Sequence, residues 1–344
     1  MYFDAPMRED VRLSEAGTEA ARAERIGFDA IWSFEISHDP FFPLLEAALA
    51  TKRLRIGTNI AVAFARTPFS MAVSAWDLQE VSRGRLLLGL GTQVRPHVER
   101  RFSAEFDHPA ARVIDYIDCL RAIWTTFQTG ARPRYEGRFY RFTLINDFFN
   151  PGPVDEPAIP IYLAGVNPRM AAAAGEAADG FNVHPMHSPG YLREVIHPAL
   201  AEGARRRGRS AQAISLLASC FVVRGASESE RRQSEHAIRR QVAFYASTPS
   251  YRKFLDFHGE IEAARRLSVL MREGRLDEMP NLVSDNLLCA VAVSEADGDL
   301  AKSLHSRYAG DLVQRVALYE GVPPDADERW WQRLATAIQH KAQC

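Results

Sequence analysis

The sequence predicts an α/β fold, a closed (β/α)8 TIM barrel. Three observations point to it. Short apolar strands alternate with helices about eight times, the order expected of a parallel sheet. The strands are apolar at nearly every position, as strands buried on both faces are. The 344 residues also exceed the roughly 250 that eight such repeats need. A doubly wound open sheet is the competing architecture. No linker-like stretch divides the chain, so residues 1–344 read as one domain.

Tyr2 to Ala5 is the first strand. Ser14 caps a helix that runs to Ile26 and stops at Gly27. Phe28 to Glu35 is the second strand, delivering Glu35, Ser37, His38 and Asp39 beyond its C-terminal end. Phe41 to Lys52 is a short helix, and Leu54 to Phe64 the third strand. Thr67-Pro68 opens a helix to Ser82, and Arg85 to Gln93 is the fourth strand. From Pro109 to Phe127 the apolar positions follow helical spacing. Thr129 to Pro157 breaks the rhythm with aromatics, Gly and Pro. It reads as an irregular insertion between strands 4 and 5, of a length that usually marks a lid or binding loop.

Ile159 to His184 resumes the pattern as strand, turn, small-residue helix and strand. Asn167 is a good N-cap, and Pro168 stands where its missing N–H costs nothing. The helix thus starts abruptly with free N–H groups facing the end of a strand, which suits a phosphate. Gly190 to Arg207 is a helix and Ile214 to Val223 the seventh strand. A helical extension over 227–310 delays the eighth strand, Val313 to Tyr319. Glu328 to His340 closes the chain as a helix.

Composition excludes several classes. The formal net charge of −1 gives no support for nucleic-acid or polybasic membrane contact. No apolar run approaches the roughly 20 residues that span a bilayer. The N-terminus has no basic stretch followed by an apolar one. Cys119, Cys220, Cys289 and Cys344 are scattered without a CxxC, which suggests a reducing cytoplasm.

In a barrel of this kind, chemistry sits at the C-terminal ends of the strands. That rule selects Glu35 and His38, the stretch Asn59 to Phe64, Thr92 and Gln93, Ala164 to Asn167, and His184 with His187. Glu35 and His38 suit a proton donor and orienter, or a plain surface hydrogen bond. His38, His97, His184 and His187 lack HxH or HExxH spacing, so no metal is expected. GLGTQV (Gly89 to Val94) begins like a dinucleotide loop, but Val94 replaces the third glycine. Arg100 and Arg101 beside His97 read as a solvated helix face. No GxSxG or GK[ST] occurs. A phosphate-ready turn without a metal or nucleophile motif suggests a borrowed redox cofactor.

The ordered set AERIGFDAIWSFEISHDPF, RLRIGTNIAVAFARTPFSMA, SRGRLLLGLGTQ and IPIYLAGVNPRMAAAAGEAADGF resembles the luciferase-like monooxygenase superfamily. Within it, the chain is similar to the coenzyme F-420-dependent oxidoreductases. The resemblance implies catalytic roles for Glu35 and His38. It implies a non-proline cis peptide at Asn59–Ile60, forming a bulge with Ala61 behind the cofactor ring. Thr92 and Gln93 would line the ring. Ala164, Gly165, Val166 and Asn167 would hold its phosphate, with His184 also in contact. Relatives often carry an acid where Val94 stands, and two glycines where Val166 and Asn167 stand. Arg66, Arg95 and Arg169 are candidates for the cofactor's anionic tail. The implied function is an F-420-dependent hydride exchange with a small organic substrate, apolar or aromatic by the insertion's Phe and Tyr residues. An FMN-dependent monooxygenase is the alternative, and a non-catalytic flavin-binding relative a third. The resemblance also implies a homodimer, and the cysteine pattern a cytoplasmic one.

Overall fold

The computed structural model describes residues 1–295 and 299–340. Its eight barrel strands are β1 (Tyr2–Pro6), β2 (Ala30–Ser33), β3 (Arg55–Thr58), β4 (Leu86–Gly91), β5 (Ile161–Gly165), β6 (Gly180–Val183), β7 (Ser215–Val223) and β8 (Arg315–Leu318). All pair in parallel and in chain order, and β8 returns to β1, with Phe3 opposite Val316. The sheet is therefore closed, as the alternating pattern predicts, and the open-sheet alternative falls.

The outer layer is α1 (Ala16–Ile26), α2 (Phe41–Ala50), α3 (Pro68–Ser82), α4 (Pro109–Thr129), α5 (Pro168–Ala177), α6 (His197–Arg206), α7 (Glu228–Ala246) and α8 (Glu328–Gln339). Local chemistry sets their ends. Gly27 takes a left-handed φ of 102° after α1, and Thr67 accepts from the Ser70 N–H before α3. Ser227 and Glu230 form a reciprocal capping box on α7. Small residues bring α5 and α6 together. A Cβ on Gly175 would stand 2.0 Å from the Leu200 carbonyl, and one on Gly203 would stand 1.9 Å from that of Ala172.

Inside the barrel, Asp4 and Arg315 form a buried two-bond ion pair at 2.7 Å, and Trp32 Nε1 donates to Asp4 at 2.9 Å. Trp32, Leu87, Tyr162, Leu217, Ala30 and Ala317 fill the next layer. Gly57 is needed there, because a Cβ would lie 2.5 Å from the Trp32 ring.

The third strand is shorter than Leu54 to Phe64. It breaks after Thr58 and resumes as a two-residue strand, Ala61–Val62, paired with β4. The helical extension holds several short helices. It also holds a strand the spacing does not announce, Ala292–Ser294, paired in parallel with the end of β7. The insertion folds down the outside of the barrel as a small hairpin, Tyr135–Glu136 with Arg141–Phe142. Its Tyr135 bonds to Asp115, its Tyr140 packs on Tyr116, and Phe142 packs on Phe69. Most of the aromatics there make the loop's own small core against α3 and α4. Cys119 and Cys220 are buried and Cys289 is exposed; Cys344 lies outside the described residues. No described helix is long and apolar enough to cross a membrane.

Candidate active site at the barrel mouth

The β3 break is the centre of the mouth. The Asn59–Ile60 peptide bond is cis. The Asn59 N–H donates to the Ser33 carbonyl at 2.7 Å, and the Glu35 N–H to that of Ile60 at 3.3 Å. The neighbouring strand gives way to this bulge. A Cβ on Gly89 would meet the Thr58 carbonyl oxygen at 1.8 Å, and one on Gly91 would meet the Ile60 side chain at 2.8 Å.

Glu35 is built into the bulge. Its Oε2 accepts from the Val62 N–H at 2.7 Å, and Arg66 Nη1 reaches both carboxylate oxygens at 2.8 and 2.7 Å. Arg66 Nη2 holds Asp39 at 2.7 Å. The Glu35 side chain is only 6% exposed, so its charge is neutralised inside the scaffold. His38 lies on the same loop, exposed and without a hydrogen bond among the described residues. Arg101 donates to the Ile36 carbonyl and ties the β4 loop to the β2 loop. Thr92 is buried, with its hydroxyl on the Gln93 carbonyl at 3.3 Å. Gln93 has a φ of 57° and caps the Val94 N–H with its own side chain. Val94 itself is exposed.

On β6, Asn182 faces inward. Its Nδ2 donates to Asn59 Oδ1 at 3.0 Å, which spans the top of the barrel from β6 to β3. Its buried Oδ1 has no partner among the described residues. A buried acceptor left without a donor is costly, which marks the place where a ligand donor belongs.

The turn Ala164 to Asn167 joins β5 to α5. Asn167 caps α5, its side chain accepting from the Met170 N–H at 3.0 Å with a φ of −106°. Neither Val166 nor Asn167 has positive φ, so this turn has no need of the glycines that relatives use. The N–H groups of Val166, Asn167 and Arg169 have no acceptor among the described residues. Tyr191 donates to the Val166 carbonyl at 3.3 Å and steadies the turn. Two of the three candidate tail arginines are committed elsewhere. Arg66 holds Glu35, and Arg95 pairs with Glu99 at 2.6 Å and covers Phe106. Arg169 is exposed and forms no ion pair among the described residues.

Beyond β6, His184 Nδ1 accepts from the Met186 N–H at 3.1 Å, and its Nε2 lies 2.9 Å from the Tyr251 hydroxyl. The Tyr245 ring stands 4.5 Å from the imidazole, and Tyr245 shares a hydroxyl contact of 2.8 Å with Tyr319. The Tyr319 ring packs tilted against Phe221 of β7, with centroids 4.5 Å apart. Tyr319 also lines a cavity of about 170 Å³ between β7, β8 and α7. His187 is fully buried, with Nδ1 2.9 Å from the His184 carbonyl and Nε2 2.9 Å from the Tyr308 hydroxyl. Burial pushes both imidazoles down to about 3, so both are neutral. Among the described residues, no group of three or more His, Cys, Asp or Glu could hold a metal.

The model of the luciferase-like monooxygenase family matches residues 3–315. The chain belongs to that family. It is an oxidoreductase of the luciferase-like monooxygenase class. It is 44% identical over 305 residues to an uncharacterised protein of Mycobacterium tuberculosis, covering 89% of each chain. A putative coenzyme F420-dependent oxidoreductase of M. tuberculosis is 29% identical over 297 residues, which cover 80% of this chain and 83% of that one. Among solved structures, the coenzyme F420-dependent tetrahydromethanopterin reductase of Methanopyrus kandleri superposes with a TM-score of 0.77. That match covers 98% of both chains at 21% identity, a likeness of fold.

The residues selected from sequence after β2 to β6 all lie at this one end of the luciferase-like barrel. Sequence reasoning missed Asn182, Tyr245, Tyr251 and Tyr319. Asn182 left a signal, a lone polar residue inside the buried strand GFNV. The tyrosines left none, because the long extension hides which of its faces returns to the mouth.

Proposed function

We propose that the protein exchanges a hydride between coenzyme F-420 and a small organic substrate at the barrel mouth. The observation that carries this reading is the pairing of the Asn59–Ile60 bulge with the buried, unpartnered Asn182 Oδ1. Together they suit one face and one N–H edge of a planar heterocycle. The three free N–H groups at the start of α5 suit the phosphate of the same molecule. When bound, a deazaflavin supplies or accepts the hydride. The bulge then orients the ring, and Glu35 with Arg66 holds the bulge. His38, free on the β2 loop, carries the accompanying proton. Arg169 meets the anionic tail. A fluorescence titration with F-420 and with FMN tests the reading. Tight F-420 binding is expected, and FMN binding without F-420 binding would overturn it.

The FMN-dependent monooxygenase reading is favoured by one observation. Only Arg169, of the three candidate tail arginines, is left uncommitted, and FMN has no such tail.

The expected homodimer has a surface that suits it. Phe42, Leu45 and Leu49 are exposed along α2, and Leu144, Phe148 and Phe149 are exposed in the insertion. These six side chains present roughly 700 Å², close to the roughly 800 Å² per partner of a stable interface. A second copy is the proposed cover. Sedimentation should give a dimer, and Leu49→Asp combined with Phe148→Ser a monomer. A monomeric wild type removes the proposal.

A further inference from the structure

Two histidines in this protein each hold a tyrosine, and they hold it in opposite senses. His187 Nδ1 faces the His184 carbonyl, so it carries the ring proton and donates. Its Nε2 is then an acceptor, and the Tyr308 hydroxyl spends its hydrogen on it at 2.9 Å. At His184 the order is reversed. Nδ1 accepts from the Met186 N–H, so the neutral ring carries its proton on Nε2. Nε2 therefore donates to Tyr251, 2.9 Å away, and the Tyr251 oxygen is the acceptor. The hydrogen of Tyr251 has no acceptor among the described residues, although the side chain is 9% exposed. Among the described residues no hydrogen bond joins it to the neighbouring hydroxyls of Tyr245 and Tyr319, which bond to each other at 2.8 Å.

The spare donor belongs to a residue at the mouth. Asn182 points inward, since its Nδ2 would lie 3.0 Å from a Cβ on the inward-facing Gly89. His184 directly follows the last strand residue, Val183, and so stands at the same end of the barrel as Asn182. The Tyr251 ring packs between the rings of Tyr245 and His184, with centroids 5.5 and 4.9 Å away. An apolar wall with one pre-aimed donor is the usual make-up of a small-molecule subsite.

We propose that Tyr251 is a substrate-binding residue, and that the substrate carries a hydrogen-bond acceptor, a carbonyl or hydroxyl oxygen, on an apolar or aromatic body. The proposal rests on reading the mouth as the place of the redox chemistry. His184 acts through Tyr251 as a positioning residue: its N–H fixes the hydroxyl oxygen and turns the hydrogen outward. A purely hydrocarbon substrate would leave that buried donor unpaired and is selected against.

The test uses two probes of the same shape, acetophenone and α-methylstyrene, which differ in C=O against C=CH2. Their affinities for the purified full chain are measured by ligand-observed NMR, with and without saturating F-420. The wild type should bind the ketone about tenfold tighter than the alkene. Tyr251→Phe should lose that preference while its alkene affinity stays unchanged, with a modest fall in melting temperature because the His184 Nε2–H loses its acceptor. The same ketone preference in both proteins overturns the assignment, and so does a wild type with no preference or no ketone binding at millimolar concentration. The F-420 arm separates the two claims. Failure of F-420 to bind removes the cofactor reading, whereas the ketone-to-alkene ratio of the cofactor-free protein still decides Tyr251.

Discussion

Arg66 donates to both carboxylate oxygens of Glu35, at 2.8 and 2.7 Å, while the Val62 N–H takes the remaining acceptor direction of Oε2. The pair fastens the turn after β2 to the strand that resumes after the bulge. Arg66→Met removes the charge that compensates a nearly buried carboxylate, a change worth about 3 kcal/mol. A matching fall in melting temperature is expected, together with at least tenfold weaker F-420 binding by fluorescence. Unchanged cofactor affinity would mean that the clamp does not serve the bulge.

Glu35 and His38 should separate on substitution. Glu35→Gln keeps the shape but loses the ion pair, so stability and cofactor affinity both drop. His38→Ala, on an exposed ring with no hydrogen bond among the described residues, should leave melting and cofactor binding alone and slow turnover by ~100-fold if it carries the proton. Turnover that survives His38→Ala moves the proton role to another group.

The two buried histidines give the protein a pH signature. Each ring is held neutral, with its folded value pushed down to about 3 from an ordinary 6.5. The unfolded chain takes up these protons below pH 6.5 and the folded chain does not. Their contribution is therefore complete above pH 6.5 and is lost as pH falls from there toward 3. For His187, which is fully enclosed, the loss between pH 6.5 and 5 is about 2 kcal/mol. His184 is less enclosed and contributes less. Urea unfolding at these two pH values should show the drop, and His187→Gln should flatten it by close to one proton.

Arg169→Glu should weaken F-420 binding about fivefold at low salt and less at high salt, with FMN affinity little changed. Equal effects on the two cofactors would place the side chain at the phosphate and not at the tail.

Gly89→Ala would force a methyl group to within 1.8 Å of the Thr58 carbonyl oxygen, backbone that cannot swing aside. A loss of about 3 kcal/mol in a denaturant titration is expected. A mild effect would mean that β3 and β4 can separate at the bulge without cost.

Short-range pattern by itself determined the strand-and-helix order, the closed barrel, the end of the barrel where the candidate residues gather, and the cap at Asn167. These depend on burial alternation and on the backbone needs of a few neighbouring residues, which are written locally. The tertiary structure alone decided which partner each mouth residue meets. Glu35 reads as a free acid until Arg66, 31 positions later, closes on it. The insertion's aromatics read as a lid until α3 and α4 are seen to absorb most of them. Val166 and Asn167 read as a departure until the turn proves to need no positive φ. The spare hydrogen of Tyr251 exists only because His184, 67 positions earlier, presents Nε2 to it. Hydrogen-bond direction between distant residues depends on which faces the closed barrel brings together, and no periodicity in the chain encodes it.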